Sequence, residues 1–213
     1  MKLNNFIDHT FLKATGTKDV IKNLCEEAKQ YKFKAVCVNP MWVKYASELL
    51  NNTDVEVATV IGFPLGATTT AAKVAETKQA IADGATEIDV VLSIGKLLDG
   101  DFDHVKQDLT EVVKASASYP VKVIIEAALL NKDQKIKACE LSKEAGAAYV
   151  KTSTGFSTGG ATVEDVALMR KVVGASLGVK ASGGVRNVEQ AKQMIKAGAT
   201  RIGTSSGIKM VTE

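Results

Sequence analysis

Glu144-Ala145-Gly146-Ala147-Ala148-Tyr149-Val150-Lys151-Thr152-Ser153-Thr154-Gly155 holds the unit that decides the fold. A glycine stands where a helix should end, a short apolar strand follows almost at once, and that strand runs into a Thr/Ser/Gly loop. The strand ends in lysine, which buried strands tolerate poorly because an unpaired ammonium there carries a heavy desolvation cost. Further along, Gly178-Val179-Lys180-Ala181-Ser182-Gly183-Gly184-Val185-Arg186 repeats the pattern. Two lysines closing consecutive strands imply amines held close together and partly shielded from water. Such surroundings lower an ammonium's pKa and free a neutral amine to attack a carbonyl.

Outward from this unit the same alternation covers the chain. Strands are expected at Asn5–His9, Lys34–Val38, Val55–Ile61, Glu87–Leu92, Val121–Glu126, Ala148–Lys151, Gly178–Ala181 and Arg201–Gly203. Helical patterns lie between them, as in Val20-Ile21-x-x-Leu24-Cys25-x-x-Ala28. Asn39-Pro40 reads as an N-cap with proline at the first helical position, and Thr162-x-x-Asp165 and Asn187-x-x-Gln190 resemble capping boxes. Gly84, Gly146 and Gly198 each stand just past a helix. Eight parallel strand–helix units favour a closed (β/α)8 TIM barrel, an α/β fold, over an open doubly wound sheet, and no G-x-G-x-x-G follows the first strand. No linker or low-complexity tract interrupts residues 1–213, so one domain is expected.

Composition narrows the class. The 213 residues are 46% apolar and 24% charged, and the net charge of +3 is too small and dispersed to argue for nucleic acid or a membrane surface. Cys25, Cys37 and Cys139 form no C-x-x-C and read as reduced thiols. Met1-Lys2-Leu3-Asn4-Asn5 turns polar too soon for a signal peptide, and no apolar run would span a bilayer, so a cytoplasmic protein is expected. Only His9 and His104 are present, without ligand spacing, so no metal and no cofactor is expected.

In such barrels the active site lies at the C-terminal ends of the strands, and alternate side chains face the axis. With Val150 toward the helices, Lys151 turns inward; the same alternation turns Lys180, Asp89 and Asp8 inward. Lys151 is the candidate nucleophile, against the alternative of a structural ion-pair lysine. Lys180 depresses its pKa, and Asp89 either balances charge or works as general acid and base. A second constellation is a phosphate cup. Gly183-Gly184 follows the seventh strand and Ser205-Ser206 the eighth, the loops where barrels often bind phosphate, while Thr154-Gly155 could add hydroxyl and N–H groups. His9 should pack against the helices, Cys37 is a buried apolar residue near the cavity, Trp42 is core or interface on the second helix, and Glu126 could support Lys151.

On E-I-D-V-V at 87–91, Y-V-K-T-S-T-G-F at 149–156, K-A-S-G-G-V-R at 180–186 and I-G-T-S-S at 202–206, the whole chain resembles the metal-free, class I deoxyribose-phosphate aldolases. The resemblance implies Lys151 as the Schiff-base residue, Lys180 as its perturbing partner, Asp89 in the proton relay, and Asp8 and Thr10 from the early D-x-T, with Asp8 supporting Lys180. It implies a phosphosugar and an aldehyde as substrates. Two departures stand out. Some members carry a longer tail ending in a tyrosine proton donor, where this sequence ends at Met210-Val211-Thr212-Glu213; and Phe156 stands where some members have lysine, so backbone N–H groups should carry more of the phosphate. Barrels of this kind commonly dimerise, so a homodimer is expected. Two rivals stay open on the same fold: a phosphosugar isomerase or epimerase with Asp89 as base, and a non-catalytic phosphosugar-binding barrel.

Overall fold

The computed structural model describes Lys2 to Thr212; Met1 and Glu213, the two ends of the expectations about leader and tail, lie outside the described residues. The strands are β1 (Ile7–Phe11), β2 (Ala35–Val38), β3 (Glu56–Ile61), β4 (Glu87–Val91), β5 (Val121–Ile124), β6 (Tyr149–Lys151), β7 (Gly178–Ser182) and β8 (Arg201–Thr204). Around them run α1 (Lys18–Tyr31), α2 (Val43–Leu50), α3 (Thr70–Ala82), α4 (Ile94–Leu98), α5 (Phe102–Ala115), α6 (Lys132–Glu144), α7 (Val163–Val173), α8 (Val188–Lys196) and α9 (Gly207–Thr212). Neighbouring strands pair in parallel in sequence order, and β1 closes the ring on β8 through Ile7–Ile202, Asp8–Gly203 and His9–Thr204. This is the expected (β/α)8 barrel.

The boundaries differ where local chemistry intervenes. Residues Leu3–Phe6 form a 3-10 turn instead of opening β1, which starts at Ile7 and continues to Phe11. β5 stops at Ile124 because Glu126 takes a left-handed conformation, φ 51°, and starts another 3-10 turn. Asn39 does not cap a helix: its amide donates to the Leu12 carbonyl at 3.0 Å, and Pro40–Trp42 is a 3-10 turn ahead of α2, so Trp42 precedes that helix. Thr162 and Asn187 cap α7 and α8 one way only. The return partner is taken in each case, since Asp165 accepts from Lys135 at 2.6 Å and the Gln190 carboxamide from the Arg186 N–H at 2.8 Å. The full reciprocal box forms at Asn131 and Gln134 on α6. Gly84, Gly146 and Gly198 all sit at positive φ directly after helix ends, which side-chain-bearing residues adopt at a cost.

Two apolar clusters define inside and outside. Val36, Val38, Ile88, Val90, Val123, Val150, Val179 and Ile202 join the core between barrel and helices, with Ile21, Leu24, Cys25 and Ala28 of α1 among those covering it. His9 belongs to this layer: it is buried, packs its ring at a tilt against Phe33 and meets Glu27 at 2.6 Å, as a packing residue should. A smaller cluster of Leu12, Cys37, Ala58 and Val60 lies on the other side of the strands. The barrel interior is therefore apolar along β2 and β3 and charged along β4 to β8 and at Asp8 of β1.

Candidate active site

Alternation places Lys151 and Lys180 inward on adjacent strands, directly paired in the β6–β7 register. Both side-chain nitrogens reach the same oxygen: Lys151 Nζ and Lys180 Nζ each lie 2.8 Å from Asp89 Oδ2. Lys180 Nζ also meets Asp8 Oδ2 at 2.5 Å. The four residues expected to converge do converge. Gly203 on β8 makes room for this, because a Cβ there would come within 3.1 Å of Lys180 Cε and 3.0 Å of Ser182 Cβ.

The network is larger than the sequence reading anticipated. Lys122 on β5 bridges Asp89 Oδ1 and Glu87 Oε2, both at 2.7 Å. Arg201 on β8 spans Asp8 Oδ1 at 2.7 Å and Glu87 Oε2 at 3.0 Å. The period-two signal was present for all three: Glu87 shares a face with Asp89, Lys122 is flanked by outward Val121 and Val123, and Arg201 is two residues before inward Gly203. A charged residue near a strand's start reads as a solvated edge, and that masked them.

Counting the complete network decides which amine is free. Four cationic side chains, Lys122, Lys151, Lys180 and Arg201, face three carboxylates, Asp8, Glu87 and Asp89. An uncompensated buried charge is costly, and a neutral Lys151 leaves three of each. The individual shifts agree. Burial pushes the Lys151 pKa down, Asp89 opposes this, and Lys180 adds to it, with a net depression. Lys180 and Lys122 suffer the same burial, but their carboxylates outweigh it and hold both above the ordinary lysine value. Burial alone would raise Asp8 and Asp89, yet Lys180, Arg201 and Lys122 bring Asp8 to about 2, and Lys122, Lys151 and Lys180 hold Asp89 well below the usual carboxylate range.

The cavity singles out the same residue. All seven network side chains are buried, and of them only Lys151 lines the cavity at the C-terminal mouth, which has a volume of about 520 Å³. Thr10, Thr154, Gly155, Gly183, Gly184 and Ser205 also line it, as the phosphate-cup reading expects. Ser206 does not: it lies one residue further on, and its N–H is turned to Thr204 Oγ1 at 2.9 Å. The Thr154 hydroxyl is held by Glu126, which also accepts the Thr154 N–H at 3.2 Å. Glu126 thus fixes the loop after β6, and no ion pair joins it to Lys151 among the described residues. Cys37 is fully buried in the interior cluster, where burial raises its thiol pKa. Among the described residues no group of His, Cys, Asp and Glu side chains is arranged to hold a metal ion, and no helix is long and apolar enough to cross a membrane.

Residues 4–212 match the model of the DeoC/LacD family of aldolases. The chain belongs to that family. One DeoC/LacD relative, a deoxyribose-phosphate aldolase of Geobacillus sp. (strain WCH70), is 63% identical over 206 residues, 96% of this chain and 92% of the relative. Another, from Brevibacillus brevis, is 59% identical over 212 residues, 100% of this chain and 96% of the relative. Among solved structures, the deoxyribose phosphate aldolase of Aeropyrum pernix, described as tetrameric, superposes with a TM-score of 0.92 at 36% identity, covering 99% of this chain and 89% of that one.

Proposed function

We propose that this chain is a deoxyribose-phosphate aldolase, reversibly cleaving 2-deoxy-D-ribose 5-phosphate to acetaldehyde and D-glyceraldehyde 3-phosphate through a Schiff base on Lys151. The observation that carries this reading is the single depressed amine: Lys151 alone in the charged network opens to the cavity, and charge balance favours its neutral form. Neutral Lys151 adds to the C1 aldehyde of the open-chain sugar, and uptake of one proton with loss of water gives a protonated imine. The C3 hydroxyl gives its proton through water to the Asp89–Lys180 relay, the C2–C3 bond breaks, and its electrons pass toward the imine nitrogen to give an enamine. Glyceraldehyde 3-phosphate departs. A proton delivered through Asp89 and Lys180 then reaches C2, and water hydrolyses the acetaldehyde imine to regenerate the amine.

Asp89 suits the relay because its Oδ2 accepts from both amines, so a proton has a path of hydrogen bonds between them. Asp8 positions Lys180 from the far side. The loops bearing Thr10, Thr154, Gly155, Gly183, Gly184 and Ser205 hold the phosphate end, which orients the reacting carbon. This chemistry uses side chains of the chain alone. We assign the reaction to one catalytic unit in the cytoplasm, in keeping with three free cysteines, and to a homodimer.

Borohydride reduction in the presence of acetaldehyde tests the reading. Peptide mass mapping should find one added ethyl group, on Lys151. An isomerase or epimerase using Asp89 as base leaves no such adduct, and neither does a barrel that only binds phosphosugars.

The pH dependence tests the electrostatics. Attack needs the free amine, so trapping should rise with pH through the depressed Lys151 pKa. Lys180→Met removes a neighbouring cation and leaves Asp89 Oδ2 to Lys151 alone, and both changes favour the ammonium. The rising limb should move toward alkaline pH by about one to two units. A lower amplitude with an unmoved midpoint would refute this origin of the depression.

A further inference from the structure

Among the residues lining the active-site cavity only two are ionisable, Lys151 at its floor and Lys13 at its lip, and none is a carboxylate. Lys13 follows β1, and the closed barrel sets β1 beside β8 through the Asp8–Gly203 and His9–Thr204 pairs. The Lys13 loop therefore emerges next to the loop that carries Ser205. Its backbone is fixed on both sides: the Leu12 carbonyl accepts from Asn39 Nδ2 at 3.0 Å and the Lys13 carbonyl from the Gly16 N–H at 3.2 Å. Leu12 is buried under the cavity, whereas Lys13 is exposed and makes no ion pair among the described residues. Surface lysines elsewhere pair readily, as Lys96 does with Asp101 and Lys106 with Glu144. A fixed backbone with an unengaged ammonium, over a cavity without carboxylates, is built for a dianionic group entering from solvent. Phe156, on the opposite lip, offers no charge.

We propose that Lys13 is the charged contact of the substrate phosphate and the residue that makes the site prefer phosphorylated over unphosphorylated 2-deoxyribose. This rests on the phosphosugar reading above. The flexible stem of Lys13 lets the ammonium follow the phosphate as the substrate settles, while the N–H groups of the β6, β7 and β8 loops fix its position.

The test compares Lys13→Gln and Lys13→Arg on both sugars at low ionic strength. Lys13→Gln should raise KM for 2-deoxyribose 5-phosphate about tenfold with kcat little changed, while kcat/KM for 2-deoxyribose stays where it was. Lys13→Arg should keep most of the phosphate preference. Added salt should raise KM of the unaltered protein and hardly affect Lys13→Gln. Equal losses on both sugars, or none on either, overturn the proposal. Calorimetric binding of inorganic phosphate reads the same contact without turnover: Lys13→Gln should weaken it, and unchanged binding would refute the role. Borohydride trapping on Lys151 is indifferent to Lys13, so failure of this inference is distinguishable from failure of the aldolase assignment.

Discussion

Lys151→Met is expected to form no borohydride-stable adduct with acetaldehyde and to turn over 2-deoxyribose 5-phosphate slower by on the order of 10⁴-fold or more, because the covalent route is lost as a whole. The variant should still fold. Removing the one amine whose charge the network does not need leaves Lys122, Lys180 and Arg201 facing Asp8, Glu87 and Asp89, and methionine fills similar space. Inorganic phosphate should still bind, since the cup is built by other loops. Lys151→Arg makes the companion test: it keeps a cation near Asp89 but cannot supply a free amine, so it should be as inactive as the methionine variant. An adduct appearing on another lysine, or turnover within tenfold of the unaltered protein, would count against Lys151 as the nucleophile.

The second large effect lies outside the site. Lys73 on α3 and Asp108 on α5 are both 0% exposed and meet at 2.6 Å, with Ser93 beyond β4 at 3.1 Å from Lys73 Nζ and Thr70 Oγ1 donating to Asp108 at 2.7 Å. Lys73→Met should cost about 3–5 kcal/mol of folding stability, since it strands a carboxylate in the interior. Replacing both partners, with Lys73→Met and Asp108→Leu, should recover most of that loss, because neither charge is then left buried alone. Denaturant unfolding with an unchanged m-value measures both. A loss below about 1 kcal/mol for Lys73→Met would mean that water or a shifted side chain satisfies Asp108. Trapping on Lys151 should persist wherever the variants are folded. The pair ties α3 and α5 to the segment just after the strand that holds Asp89, so its work is scaffolding.

The sequence carried the barrel and its central chemistry for local reasons. Helix-ending glycines, the period-two alternation and lysines closing apolar strands all act within a few residues of themselves, and they assigned Lys151, Lys180, Asp89 and Asp8 to the interior. Capping expectations failed, wholly or in part, where a side chain found a better partner elsewhere, as Asn39 did with the Leu12 carbonyl and Gln190 with the Arg186 N–H. Lys73 reads on its helix as one more solvated lysine, and nothing nearby in the chain marks it as buried.

The order of the strands and the residues facing the axis are properties of the sequence by itself. Which of those residues touch was decided only by closure of the ring. Arg201 reaches Asp8 across 193 positions of sequence and Glu87 across 114, and Lys180 reaches Asp89 across 91. Those distances collapse because an eight-stranded barrel has an interior just wide enough for side chains, so charges from separate strands must satisfy one another there. That shared interior leaves Lys151 as the surplus cation, and the pairing of β1 with β8 brings Lys13 beside the phosphate loops.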